Sequence, residues 1–547
     1  MNYYYFLFLA LFSVFACSKS EIQADADPHL KNIFYIDSRN GNDNNDGLSP
    51  SSAWKTLAMS SEHTFKSGSK LLLKRGERFA GTLLFKAEGT KDDPVKISAW
   101  PENDTLSPLP VIDAKGYPAG IQITNTGNLE ISNIEIISDA GVPQENEALK
   151  KRYGIKIIAA GGYVSKNIKL KDLNIHHIFS SKNVPGGGQN PTSNTGMGIY
   201  ISSDGTSTFK DILIENCYVG MTGHTAIKIR SAAVDTSLYI HDVKILNNRL
   251  KDIGGPGIQP GKCINVLVKG NVTDHTGSLA DPRMHGRGSG IWPWHCTNVL
   301  IEHNSFMFAH GKMDSHGAHI DHHCRNVVIQ YNMSIENGGG FVEILGENYN
   351  CSYRYNISIN DGWRRKGVAG AVRDGEILFI SNYTGKNVEK EGPYNCYVYN
   401  NTIYVREDIL TGFYLANTTK GLLVANNIFY ITGKTHTTVR NGSIVPGEMP
   451  QNVVFVNNLY KKAGTLPDDF PVQDSVPIFG DPGFANPGGY AAEDYIPSNV
   501  LVVKDKGIVV SKLPGDNIGL KNGLKVEKDF FGNEITGDPD IGAVEMK

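Results

Sequence analysis

Eight asparagines recur at the ends of apolar, strand-forming stretches, and they constrain the fold of this 547-residue chain more than any other feature. Two examples are Val266-Leu-Val-Lys-Gly-Asn271 and Val299-Leu-Ile-Glu-His-Asn304. The full set, with steps of 23 to 45 residues, is Asn248, Asn271, Asn304, Asn332, Asn356, Asn401, Asn427 and Asn458. A repeat of this length built from strand-like units predicts a solenoid of stacked β-coils. We expect the asparagine amides of neighbouring coils to pair with one another in a structural column.

A second repeated phrase predicts a column of outward-facing residues on a parallel β-helix. In each phrase an apolar residue points inward, so the residue after it points outward. The predicted outward column is Gln122, Lys156, Tyr200, Lys228, Gln259, Trp292, Asp321 and Glu343. Its character changes to aromatic and acidic on the last three coils, and we therefore expect the functional site there.

Two carboxyl groups flanking a glycosidic bond are what glycoside hydrolysis requires. Asp321 and Glu343 are predicted to face outward on adjacent rungs of the column and to be catalytic, with Asp314 as an alternative acid. Adjacent rungs would suit the roughly 5–5.5 Å separation of a retaining enzyme. Diverging side chains, or Asp314 as the acid, would suit the wider inverting geometry, and the sequence leaves both open.

Long loops beside these carboxylates are rich in histidine, arginine and tryptophan. Loops that project beside a rigid sheet are the usual place for binding residues. We predict the following substrate-binding residues: Trp292, Trp294, His316, His319, His323, Arg283, His285, Gln259, Lys228 and Arg364. The His-x-Asp-His-His run at 319–323 could also bind a metal, but sugar recognition and proton transfer fit it better, and no metal site is assigned.

The opening segment 33–57 and the final segment 529–545 resemble the corresponding parts of extracellular β-helix proteins that act on polysaccharides. This resemblance implies an all-β, single-stranded, right-handed parallel β-helix of the pectate-lyase-like kind, a solenoid with terminal caps. It implies a polysaccharide or oligosaccharide as partner.

The spacing Asn42-x-Asn44-x-Asp46-Gly47 is similar to that of a calcium-binding loop, but Ala53 occupies the position of the closing glutamate. An Asx-rich turn is therefore the better interpretation of this segment. No cofactor is expected, and calcium is kept as the alternative.

The scaffold is shared by several activities, so the reaction depends on the candidate site. The aromatic and histidine-rich surroundings favour a glycoside hydrolase. The first alternative is a polysaccharide lyase. In it Lys228, Arg230, Arg283 or His285 would act on a uronate, with calcium held by Asp321 and Glu343. The second is a non-catalytic glycan-binding surface protein. The net charge of −3 and the lack of basic runs exclude nucleic acid as an expected partner.

The N-terminus predicts export. Residues 1–16 have the pattern of a signal peptide, and Ser13-Val-Phe-Ala16-Cys17 resembles a bacterial lipoprotein processing site with lipidation at Cys17. We expect a lipidated tether over 17–30, the β-helix over 31–464 and a C-terminal cap over 465–547 that blocks the last coil. The predicted protein is a monomer in the outer membrane or periplasm, with membrane contact only through the lipid.

Six further cysteines fall near the start of the repeated asparagine phrase. They are Cys217, Cys263, Cys296, Cys324, Cys351 and Cys396. Because the repeat places most of them in one inward column, we expect packing rather than disulfide chemistry.

Overall fold

The structure, a computed structural model, describes residues 33–141, 151–180 and 195–547. The predicted signal peptide 1–16, Cys17 and the tether 17–30 lie outside these residues. Within the described ranges the regular elements are parallel strands and short 3-10 helices. The 3-10 helices are Pro50–Ser52, Leu57–Glu62, Thr236–Leu238, Val368–Gly370, Asn441–Ser443 and Ala492–Tyr495. No helix in these ranges is long and apolar enough to cross a membrane.

Two fourteen-stranded parallel sheets run the length of the fold. The strands of the first sheet are Ile33–Ile36, Lys70–Lys74, Val95–Trp100, Leu129–Ser132, Val164–Lys171, Thr208–Glu215, Ile240–Leu246, Cys263–Lys269, Thr297–Glu302, Arg325–Gln330, Ser352–Arg354, Tyr394–Tyr399, Lys420–Ala425 and Gln451–Val456. Those of the second sheet are Arg78–Ala80, Val111–Asp113, Glu135–Asp139, Asn174–Phe179, Tyr218–Thr222, Arg249–Ile253, Val272–Thr276, Ser305–Met307, Met333–Ile335, Ile357–Ile359, Thr402–Val405, Ile428–Ile431, Leu459–Tyr460 and Ile478–Phe479.

The third face is divided into two shorter parallel sheets. The seven-stranded part contains Thr64–Lys66, Leu83–Glu88, Ala119–Thr124, Lys151–Ala159, Thr195–Ser203, Ile227–Ser231 and Ile258–Gly261. The four-stranded part contains Gly340–Ile344, Glu376–Ile380, Thr411–Leu415 and Thr435–Thr437. Because the chain visits the three faces in turn and these strands all pair in parallel, the fold is a parallel β-helix, as predicted.

The repeated asparagines form the expected ladder at the turn between the first and second sheets. Asn271 Nδ2 donates to Asn304 Oδ1 at 2.9 Å, and Asn304 Nδ2 donates to Asn332 Oδ1 at 2.9 Å. The ladder ends at Asp474, whose Oδ2 accepts from Asn458 Nδ2 at 2.7 Å. The residue before each ladder asparagine has a positive φ between 50° and 70°, as at Tyr331 with 56°. One left-handed residue thus makes the sharp turn that directs each amide inward.

The interior is filled by stacked aliphatic side chains and by the cysteine column. Ile199, Ile227 and Ile258 occupy equivalent inward positions on successive coils and are fully buried. The six described cysteines are buried and unpaired, which confirms their predicted packing role. Complete burial of one such aliphatic side chain contributes about 1.5–3 kcal/mol relative to exposure.

Regular pairing on the third face stops between Gly261 and Gly340. Over this stretch the coils are joined by isolated β-bridges, including the pair Ile258 and Ile291. Backbone hydrogen bonds still join these coils, such as Trp292 N–H to the Ile258 carbonyl at 3.1 Å and His319 N–H to the Ile291 carbonyl at 3.0 Å. The candidate site lies in this interruption.

The C-terminal segment 465–547 packs along the flank of the helix as well as near its last coil. Asp516 Oδ1 accepts from Asn350 Nδ2 at 3.1 Å, and the Lys528 carbonyl accepts from the Tyr331 hydroxyl at 2.9 Å. Both partners lie several coils before the end of the helix. The segment therefore covers the side of the solenoid, a wider role than the blocking of the last coil; its boundary at 464 stays a prediction.

Candidate active site

The coil that carries Asp321 is shifted by two residues from its predicted register. In the structure Ile291 pairs with Ala318. The sequence pattern instead aligns Ile291 with Ile320. The prediction that Asp321 and Glu343 share one column on adjacent rungs is therefore wrong. Ala318 and Ile320 both point inward and are buried, so a slip of two residues preserves the alternation and leaves no trace in the sequence.

In the observed outward column, His319 occupies the position predicted for Asp321, and Asp321 lies in the neighbouring column. Because Ile320 pairs with Ile344, Glu343 stands opposite His319. Asp321 is two residues further along its strand, and one coil plus two residues separates Cα atoms by about 8 Å. The observed order along the column is Gln259, Trp292, His319 and Glu343.

Glu343 is held at the base of the site by three cationic or hydrogen-bonding side chains. Its Oε2 lies 2.7 Å from His316 Nδ1 and 3.4 Å from His319 Nδ1, and its Oε1 lies 3.4 Å from Arg373 Nη2. Burial raises the pKa of this carboxyl, but these three partners outweigh burial and hold the pKa well below its usual range. Only 2% of Glu343 is exposed, which corrects the prediction of an accessible outward carboxylate.

Asp314 is the second ionised carboxylate, and it reaches the site from a loop. Its Oδ2 accepts from Arg287 Nε at 2.7 Å, and its Oδ1 lies 3.7 Å from Arg373 Nη2. Burial raises the pKa of Asp314, but Arg287 and Arg373 outweigh burial and lower the pKa. Arg373 therefore lies between two anionic carboxylates, Asp314 and Glu343, and fixes their relative positions.

Asp321 has the opposite electrostatic character. Burial raises its pKa to about 7, and no arginine offsets this effect. Its Oδ1 accepts from the His322 backbone N–H at 2.8 Å. A substantial fraction of this carboxyl is protonated at neutral pH, so the site contains one proton donor beside carboxylates that are ionised.

The phenol of Tyr383 is affected by the charges of both Asp321 and Asp314. Burial raises the pKa of this phenol first, and the charges of Asp321 and Asp314 then raise it further. The charges of both carboxyl groups therefore act on the same phenol, which is 46% exposed.

A cavity of about 400 Å³ opens beside Asp314 and is large enough for sugar rings. Five of the predicted site residues line it: Lys228, Gln259, His285, Trp292 and Asp314. The structure therefore brings together residues from widely separated parts of the sequence.

Trp294 and Arg283 have structural contacts away from this cavity. The ring of Trp294 covers Gly261, where an added Cβ would lie 2.3 Å from Trp294 Nε1. Arg283 donates to Asp139 Oδ1 at 2.6 Å and to Asp281 Oδ2 at 2.8 Å. Neither side chain lines the cavity, so their predicted contact with substrate has no support from the geometry.

The predicted histidines divide into buried and peripheral groups. His316 and His319 are at most 1% exposed and contact Glu343, so they act on the carboxylate rather than on a ligand. His323 contacts Glu347 and stacks on His295 with ring centroids 4.3 Å apart. It lies at the edge of the site.

Arg364 supports the loop that carries Asp314. It is 3% exposed and donates through Nη1 to Ser315 Oγ at 2.8 Å and through Nε to the Arg373 carbonyl at 3.0 Å. It also lines a separate cavity of about 360 Å³ between the loops. Its position is explained by these contacts, and it does not reach the first cavity.

Two groups of side chains are close enough to share a metal ion. The ligand atoms of His295, His322 and His323 lie within 4.8 Å of one another, as do those of His316, His319 and Glu343. Imidazole and carboxylate ligands suit zinc or a similar ion.

The aspartate-rich loop near the N-terminus forms Asx turns, as predicted. Asp46 Oδ1 accepts from the Leu48 N–H at 2.9 Å, and Asn42 Oδ1 accepts from the Asn44 N–H at 3.0 Å. Side-chain oxygens of this loop are therefore used by its own backbone.

Arg287, Arg373 and His224 were not assigned roles from the sequence. Arg287 and Arg373 pair with the acids, and His224 lines the cavity and stacks on His285 with ring centroids 5.0 Å apart. Arg373 lies 30 residues from Glu343 on a loop with no periodic pattern. No signal in a single sequence indicates that it would contact both carboxylates.

Comparison with curated proteins gives similarity along nearly the whole chain. The chain is 26% identical, over an alignment of 617 residues, to the lacto-N-biosidase of Bifidobacterium longum subsp. longum; the alignment covers 94% of this chain and 36% of that protein. The chain thus spans about a third of that relative's length. A shorter match, 38% identical over 69 residues, is to alpha-1,3-galactosidase A of Akkermansia muciniphila, covering 13% of this chain and 11% of that protein. No family model matches the chain.

Comparison with solved structures supports the architecture. The native GH136 lacto-N-biosidase from Eubacterium ramulus superposes with a TM-score of 0.53 and 20% sequence identity, covering 75% of this chain and 68% of that one. The two chains share a fold. The resemblance to carbohydrate-active β-helix proteins, seen in the terminal segments, is thereby confirmed at the level of architecture.

Proposed function

We propose that this protein is a glycoside hydrolase that cleaves an oligosaccharide or polysaccharide beside the first cavity. One observation carries the proposal: the pKa values of two buried acids, Asp321 and Asp314, are shifted in opposite directions, and the charges of both act on the phenol of Tyr383. Asp321 has a pKa raised to about 7 by burial, whereas the pKa of Asp314 is lowered by Arg287 and Arg373 despite burial. Glycoside hydrolysis needs such a pair, one acid protonated and one ionised.

We assign Asp321 as the general acid and Asp314 as the ionised partner. Asp321 is not among the described residues that line the cavity, so its assignment rests on its raised pKa and on its position one column from Glu343. The ionised partner must reach the sugar, and Asp314 lines the cavity. Glu343 is nearly inaccessible, and its oxygens already face His316 and Arg373. We therefore treat Glu343 as a positioning residue that holds Arg373 beside Asp314.

The proposed reaction begins with proton transfer from Asp321 to the glycosidic oxygen. The bond between that oxygen and the anomeric carbon breaks, and the leaving sugar departs as an alcohol. Asp314 either attacks the anomeric carbon or removes a proton from an attacking water. If Asp314 attacks, a water then displaces it from the anomeric carbon and gives its proton to Asp321. If Asp314 removes the proton from water, it releases that proton to solvent and Asp321 takes one up from solvent, so each route consumes one water. Trp292 offers a ring face on which a sugar can stack.

Similarity to the Bifidobacterium protein supports this reaction class. That protein is named a lacto-N-biosidase, and the alignment covers 94% of the present chain. Its name supports lacto-series oligosaccharides as the first substrates to test. The lyase and the non-catalytic alternatives predict different products, so one experiment distinguishes all three.

The test is a glycan panel incubated with purified protein and analysed for new reducing ends and for the ultraviolet absorbance of unsaturated uronates. We expect new reducing ends without unsaturated product, and no product with Asp321→Asn. Unsaturated product would identify a lyase. Binding without either product across lacto-series, plant and algal glycans would favour a non-catalytic glycan-binding protein.

We also propose that the protein is exported and anchored through Cys17. The processing-site resemblance at residues 13–17 supports this. Metabolic labelling with a palmitate analogue, compared between the natural chain and Cys17→Ala, tests it directly. Equal labelling of the two proteins would refute the anchor.

A further inference from the structure

Two basic side chains face the first cavity without an acidic partner. Lys228 and Arg230 lie on the strand Ile227–Ser231, and because they are two residues apart they point to the same side. Both are half-buried and line the cavity. Among the described residues, no carboxylate forms an ion pair with either of them.

Other partly or fully buried arginines of this chain have a carboxylate or neutral protein oxygens as partners. Arg283 pairs with Asp139 and Asp281, and Arg440 pairs with Glu376. Arg354 and Arg364 lack a carboxylate but donate to neutral oxygens, for example to Gln330 Oε1 and Ser315 Oγ. Lys228 and Arg230 differ from these arginines because, among the described residues, neither forms an ion pair or a hydrogen bond through its side chain. An exception of this kind calls for a ligand or another specific cause.

The cavity as a whole carries an excess of positive charge. Its described basic lining residues are Lys151, Lys228, Arg230 and Arg287, and its one acidic lining residue is Asp314. Arg287 is already paired with Asp314. Three cationic groups therefore remain without an anion among the described lining residues.

Hydrogen-bond donors around the cavity also lack acceptors. Arg230 Nε and Trp292 Nε1 are both buried and have no hydrogen-bond partner among the described residues. Indole and guanidinium nitrogens act only as donors. A group that pairs with these two nitrogens supplies acceptor oxygens, and an anion supplies them most strongly. Gln259 Oε1, an acceptor in the same lining, also lacks a partner among the described residues, and a sugar hydroxyl beside the anion would donate to it.

We propose that Lys228 and Arg230 form a subsite for an anionic group, a carboxylate or a sulfate, on the glycan. This assignment of substrate class rests on the proposed function. Along the column, Lys228 pairs with Gln259, and Gln259 precedes Trp292 by one coil. Two coils correspond to about 10 Å. The acidic sugar therefore neighbours the sugar that stacks on Trp292, rather than the bond that breaks.

The test measures binding with the Asp321→Asn protein, so that turnover does not interfere. The probe is a glycan array that presents matched neutral, uronate- or sialate-containing, and sulfated glycans. We expect at least a roughly tenfold preference for acidic over neutral glycans, weakened by added salt. The double variant Lys228→Gln, Arg230→Gln should lose this preference. The carboxylated and sulfated arms show which anion is recognised.

Lys156→Gln is the matched control. Lys156 lies in the same outward column but contacts the ring of Tyr153, with Nζ 5.4 Å from the centroid. We expect its variant to keep the acidic preference. The double variant should melt at the same temperature as its parent or higher, because it removes two unpaired cations from a partly buried site.

Three results would overturn the subsite: preference for neutral glycans, acidic preference that survives the double substitution, or no glycan binding at all. A different result would refute the proposed hydrolase activity without refuting the subsite. Acidic glycans that bind but are never hydrolysed by the natural protein would refute the hydrolase and leave the subsite intact. Hydrolysis of neutral glycans as fast as acidic ones would refute the subsite and leave the hydrolase intact.

Discussion

Replacement of Asp321 by asparagine should abolish activity and simultaneously flatten the dependence of stability on pH. The side chain is 8% exposed, and its Oδ1 accepts from the His322 N–H. Asparagine keeps this acceptor and the size of the group but cannot ionise or donate an acidic proton. We expect a loss of activity of about 10²- to 10⁴-fold, the usual contribution of a general acid.

The stability effect follows from the raised pKa. Burial moves the pKa of Asp321 from 3.8 to about 7, so the folded protein holds this proton over a pH range in which the unfolded chain has lost it. The resulting stabilisation is fully present below about pH 4 and is lost as pH rises through about 7. Roughly three pH units correspond to about 4 kcal/mol. When the pH rises from about 4 to about 8, the free energy of unfolding should therefore fall by about 4 kcal/mol less in Asp321→Asn than in the natural protein.

Urea unfolding at about pH 4, 6 and 8, with hydrolysis assays on the same samples, measures both effects. Asp361→Asn is the control, because burial also raises the pKa of Asp361 to about 7, but its oxygens accept from Asn337 and Ser358 in a turn. It should flatten the pH dependence while leaving hydrolysis within a few-fold. An active Asp321→Asn protein, or one with an unchanged pH dependence, would refute the reasoning.

Three further changes separate structural from functional residues. Asn332→Ala removes the oxygen that accepts from the Asn304 N–H at 2.9 Å. The unpaired buried donor alone should lower the free energy of unfolding by about 1–3 kcal/mol. A melting temperature equal to that of the natural protein would contradict the ladder. Trp292→Ala should weaken substrate binding by about 1 kcal/mol or more, measured as a raised KM, whereas Trp294→Ala should mainly lower the melting temperature; the opposite pattern would move the binding groove. Arg283→Ala leaves two carboxylates without their partner and should lower stability without altering KM, and a selective rise in KM would show that it binds substrate after all.

The sequence alone determined the architecture, because the features that specify it are local and repeated. An inward aliphatic residue every second position and an asparagine at each turn recur on many coils, and each copy is independent evidence for the same solenoid. The amide ladder from Asn248 to Asn458 and the buried cysteines follow directly from that periodicity. The residue types of the candidate site, including Trp292 and Asp321, were also identifiable as departures from the repeated pattern.

Only the tertiary structure decided how those residues meet. The alternation of side chains is unchanged by a two-residue slip, so the sequence could not place Asp321 one column away from Glu343. The loops that bring Arg287 and Arg373 to the carboxylates have no periodicity, so no repeated pattern in the sequence indicates these contacts. Burial and these contacts set the opposite protonation of Asp321 and Asp314, because a pKa responds to surroundings in three dimensions rather than to neighbours along the chain.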